Sequence, residues 1–115
     1  MKRSFMLSTV TIEFDKDSDE AFFTYPQGKK GLIVRIGCNT NKLGFLELVM
    51  HEFLELSLAI LQCRYDVKDK PYTIADEVLF SFNHEHLRQA IYHTNLFLEE
   101  NRKELLAQYK KHSKK

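Results

Sequence analysis

The chain has no tryptophan, two prolines, four glycines and two cysteines in 115 residues. Cys38 and Cys63 cannot form a CxxC metal knuckle, and a single pair is thin support for an oxidising compartment, so two reduced, buried thiols are expected. Charge of one sign is also lacking: the formal net charge is +1, which leaves no global field to draw in nucleic acid. The basic excess gathers at Lys110, Lys111, Lys114 and Lys115, a tail over about 110–115 that is expected to be solvated. No internal repeat, low-complexity stretch or flexible linker interrupts the chain.

Long hydrophobic runs are missing as well. The one extended apolar segment, Leu46 to Ile60, is broken by Glu47, His51, Glu52 and Glu55, so no bilayer span is expected. The opening MKRSFMLSTVTIEF begins with a charged pair but reaches Thr9, Thr11 and Glu13 without a sustained apolar region, unlike a secretory signal. A cytoplasmic protein without membrane contact is the expectation. The composition, 43% hydrophobic and 29% charged, belongs to a globular chain, and the length sets one domain over 1–115.

From Ser8 to Phe14 the pattern alternates, with Val10, Ile12 and Phe14 on one face and Thr9, Thr11 and Glu13 on the other, as in a half-buried strand. A polar turn follows over 15–20. Ala21 to Tyr25 is extended and aromatic, turn residues fill 26–31, and Leu32 to Ile36 is a second clear strand. Phe22, Phe23, Tyr25, Phe80 and Phe82 are expected in the core. The first third therefore predicts a small sheet, antiparallel through hairpins or mixed.

Asn39, Thr40 and Asn41 supply helix caps, so a central helix is expected from near Asn41 to about Arg64. Asp66 to Pro71 marks a connection, Tyr72 to Ile74 suits a short extended piece, and Ala75 to Phe82 reads equally as a helical turn or a strand. A last long helix, capped by Ser81 or Asn83, carries the stripe Leu87, Ile91, Thr94, Leu98, Leu105 and Tyr109. The fold class is α+β: a small N-terminal sheet packed on a central helix and a long C-terminal helix.

At about 100° per residue, Glu47, His51 and Glu55 share one arc of the central helix, with Glu52 about 60° further round and Val49, Met50, Phe53 and Leu56 on the apolar side. A histidine with a carboxylate one turn later can offer two ligands to one metal ion. A glutamate next to the histidine can serve as general base to metal-bound water. A third ligand would come from His86, with His84 as its substitute, while Glu47 and His93 suit an outer shell. A plain solvent-facing acidic stripe accounts for the same spacing.

His51-Glu52-Phe53-Leu54-Glu55, followed by Pro71-Tyr72 and by Glu85-His86-Leu87 opening a helix, resembles the small zincin-like proteins of bacteria, phages and mobile elements. The resemblance covers Leu43 to about Glu100. It implies a sheet packed on an active-site helix, Zn2+ or another divalent metal at His51, Glu55 and His86, and Glu52 as the catalytic base of a metal-dependent peptidase acting on a peptide or protein. This chain has H-E-x-x-E rather than H-E-x-x-H. That departure motivates the alternative, a non-enzymatic interaction or structural protein of phage or mobile-element origin with a degenerate site.

Overall fold

A computed structural model describes residues 1–24, 32–66 and 78–113. Strands β1 (Lys2–Phe5), β2 (Ser8–Asp15), β3 (Ala21–Thr24) and β4 (Leu32–Gly37) are followed by helix α1 (Lys42–Ile60). Two short strands, β5 (Arg64–Asp66) and β6 (Val78–Phe80), precede helix α2 (His84–His112). The fold is α+β. The expected extended piece at Tyr72 to Ile74, the turn at 26–31 and Tyr25 lie outside the described residues.

The four-stranded sheet is mixed, in the order β1-β2-β4-β3. β2 and β4 run parallel, Val10 opposite Leu32 and Ile12 opposite Val34, whereas β1 on β2 and β3 on β4 are antiparallel. The hairpin expected between β2 and β3 is therefore replaced by a crossing. The 15–20 loop passes the end of β4, where its carbonyls accept amide hydrogens from Gly37 (Glu20 O, 2.9 Å), Cys38 (Asp15 O, 2.8 Å) and Asn39 (Ser18 O, 2.9 Å). Only glycine fits at Gly37, because a Cβ there would stand 2.3 Å from the Ser18 carbonyl oxygen.

The alternation seen in the sequence becomes the two faces of this sheet. Val10, Ile12, Leu32, Val34 and Ile36 are buried against the helices, and Thr9, Glu13 and Arg35 face outward. Strand alternation sends Phe23 inward and Phe22 outward, so Phe22 is half exposed with the Arg35 guanidinium 5.8 Å from its ring, not in the core. Phe82, beyond the end of β6, is also exposed.

Both helices begin where their caps predict. The Asn41 side chain accepts from the Gly44 amide at 2.7 Å, and that of Asn83 from the His86 amide at 2.9 Å. α1 stops at Ile60, short of the expected Arg64. There the Gln62 and Cys63 amides bond back to the Ala59 and Leu58 carbonyls and Gln62 takes φ 64°, the two-bond closure of a Schellman motif. Three phenylalanines lock the layers together. Phe53 of α1 stacks on Phe97 of α2 at 4.0 Å, and Phe5 of β1 meets both rings edge-on. At the other end of α2, the Tyr109 hydroxyl donates to the Thr40 carbonyl at 2.6 Å, holding the loop that leads into α1.

Candidate metal centre

The core packing sets how α1 is rotated. Phe45, Val49, Phe53 and Leu56 are fully buried, and Glu52 lies only about 40° round the helix from Leu56. It is drawn inside with them, 6% exposed, while Met50, expected on the apolar side, is 47% exposed. His51 projects to solvent and Glu55 is partly covered.

His51 Nε2 pairs directly with the Glu55 carboxylate one turn on, and stands 3.9 Å from Oε2 of Glu52. One ligand atom from each of His51, Glu52 and Glu55 lies within 4.8 Å of the others. Among the described residues, this is the one group of three such side chains that can hold a metal ion. An imidazole nitrogen and two carboxylate oxygens make a donor set suited to a divalent cation.

Burial, and then the nearby Glu55 carboxylate, push the Glu52 pKa up; His51 and Arg64 pull it down. Glu52 accepts no hydrogen bond from a described residue. His51 and Arg64 offset only part of the cost of burying this carboxylate, since its pKa stays raised, and a cation placed between it, Glu55 and His51 would offset more.

The group opens onto a hollow of about 300 Å³ lined by Asp19, Glu20, Ala21, Glu47, Leu48, His51 and Glu52. The loop fixed by the Gly37–Asn39 amides forms its far wall. Glu47 lines the same hollow as His51 and Glu52. Asp19, Glu20 and Leu48 carry no signal in the sequence: the two acids reach the lining through the β2–β3 crossing, which no local pattern encodes.

The other expected ligands are elsewhere. His86 occupies the third position of α2, where its Nδ1 accepts from the Asn83 amide at 3.4 Å while Asn83 accepts from the His86 amide, a reciprocal capping box. His84 is exposed at the first helical position. His93 meets the Tyr92 ring edge-on at 5.2 Å. None of the three joins the His51 group.

No family model, curated protein or solved structure matches the chain. The functional reading rests on the geometry of the centre.

Proposed function

We propose that this chain is a metal-binding protein whose centre is His51, Glu52 and Glu55, with Zn2+ as its ion. The observation that carries the reading is the convergence of the buried Glu52 carboxylate with the exposed His51 imidazole and the Glu55 carboxylate, one ligand atom of each lying within 4.8 Å of the others. His51 Nε2 is held against the Glu55 carboxylate. Protons compete with a cation for an imidazole and two carboxylates, so uptake weakens as the pH falls.

When bound, Zn2+ with three protein donors supplies Lewis acidity and one open position for water. The peptidase reading belongs here: the hollow beside His51 gives room for a peptide, and a carboxylate with a raised pKa is a better proton acceptor than an ordinary one. It asks Glu52 to act as base rather than ligand, and His86 does not stand near enough to replace it as third donor. Metal binding is accordingly the primary proposal and hydrolysis the secondary one.

A non-enzymatic interaction role is favoured by a separate feature. Ile91, Tyr92 and Leu96 leave exposed apolar surface on the first half of α2, the kind of helix face that binds partners. Measuring Zn2+ bound by untagged protein, alongside cleavage of an unstructured protein such as casein, separates the readings. Metal without cleavage leaves the binding role alone, and neither leaves the interaction role.

A further inference from the structure

Helix α2 buries one stripe, Ala90, Thr94, Phe97, Asn101 and Leu105, and turns its opposite side to solvent. That outer side is apolar in the middle. Ile91, Tyr92 and Leu96 stand on it 44%, 57% and 41% exposed, three of the eight large hydrophobic side chains exposed among the described residues. With Asn95 between them they fall within one arc of about 140°. Charges close the patch at both ends. On one side Arg88 holds the Glu85 carboxylate, its Nε 3.0 Å from Oε2 and its amino group 2.6 Å from Oε1. On the other, Glu99 and Arg102 are exposed and join no ion pair among the described residues.

The order of these charges decides what the face fits. Glu85, Arg88, Tyr92, Asn95, Glu99 and Arg102 follow one another at steps of three and four, the spacing of a coiled-coil seam. Arg88 and Glu99 lie equally far from the His93–Thr94 peptide bond; so do Glu85 and Arg102, Ile91 and Leu96, and Tyr92 and Asn95. A second α2 laid antiparallel across that point therefore sets acid against base twice at each end, with Ile91 against Leu96 between them. At the margin His84 falls opposite Lys103 and adds no attraction. A parallel copy would set Arg88 against Arg88 and Glu99 against Glu99. The face is complementary to itself in one orientation, which is the condition for an isologous two-fold contact.

We propose that α2 pairs antiparallel with α2 of a second copy of this chain, with Ile91, Tyr92 and Leu96 at the centre and Arg88 against Glu99 at each end. The pairing rests on the interaction reading of this face, whose partner it names, and makes no use of the metal centre. A strip of about 26 Å of one helix buries less than the roughly 800 Å² per partner of a standard interface. The association is therefore reversible and concentration-dependent.

Sedimentation velocity of the untagged native chain from about 10 µM to about 1 mM tests the pairing. A reversible monomer–dimer equilibrium is expected, weakened by high salt. Arg88→Glu alone and Glu99→Arg alone each replace two attractions by two repulsions, and each should raise the dimer Kd at least about tenfold. An equimolar mixture of the two variants should restore dimers, because each charge again meets its opposite; a variant that had failed to fold could not do so. Leu96→Glu should weaken the dimer by a similar factor through the apolar centre. A chain monomeric up to about 1 mM, a dimer that Arg88→Glu leaves intact, or a mixture no more dimeric than its components overturns the pairing. The interaction reading fails separately, if in addition no protein retained from a cell lysate by the native chain is lost on Leu96→Glu.

Discussion

Glu52 and His51 are adjacent in sequence and opposite in environment: the Glu52 side chain keeps 8% of its exposure, that of His51 keeps 64%, and their Oε2 and Nε2 atoms lie 3.9 Å apart. One residue is placed by the core and the other by solvent, and together with Glu55 they bring one ligand atom each within 4.8 Å of the others.

That arrangement should cost stability when no metal is present. Glu52 is buried beside a second carboxylate, and both effects disfavour its ionised form. Glu52→Gln keeps the shape and removes the charge, so the metal-free variant should be more stable than the native chain by about 1 kcal/mol near neutral pH. Urea unfolding in the presence of a chelator measures it. A variant less stable than the native protein would mean that Glu52 already has an adequate partner.

Cys38 offers a pH dependence with a defined sign. Burial, assisted by Asp15, pushes its thiol from 9.0 up to about 11. The native state therefore holds this proton where the unfolded chain has released it. The associated stability is fully present below pH 9 and is lost as the pH rises through about 11. Unfolding free energies of the native chain and Cys38→Ala, compared across that window, should converge as the pH rises; a constant difference would contradict the shift. Thiol reagents near neutral pH should reach Cys38 only after unfolding.

His86 should behave as a capping residue. His86→Ala should lower stability by about 0.5 kcal/mol and Asn83→Ala by about 1 kcal/mol, with metal content unchanged in both. A fall in metal content on His86→Ala would return this histidine to the centre.

These two histidines also show where the sequence is legible. His51, Glu52 and Glu55 could be grouped because helical spacing alone brings them together, and the structure does so. His86 could not be placed, since a capping box carries Glu or Gln at its third position in its common form and a histidine there looks like a spare ligand. Val10, Ile12, Val34 and Ile36 were readable from alternation, and Asn41 and Asn83 from cap chemistry. β1 was not: Lys2–Phe5 is short, and its link to β2 runs through Met6 and Leu7, both at positive φ, without the Asn or Gly that announces such a turn. The parallel pairing of β2 with β4 depends on a loop's path across a strand end, and α1's burial of Glu52 depends on packing against both the sheet and α2. Neither is a property of any local segment.

The end of α1 supplies a stability prediction of the same kind. Gln62 is exposed and left-handed where glycine is usual. Gln62→Gly should stabilise the protein by about 0.5–1 kcal/mol, measured by chemical denaturation. A loss of stability would show that the Gln62 side chain makes up for its backbone strain.

The central claim is tested most directly by equilibrium dialysis of untagged protein against Zn2+, with bound metal measured by elemental analysis in the native chain and in His51→Ala. About one equivalent in the native protein, falling below about a tenth of an equivalent in the variant, is the predicted result. Less than a tenth of an equivalent in the native protein, or the same content in His51→Ala, would contradict the metal centre.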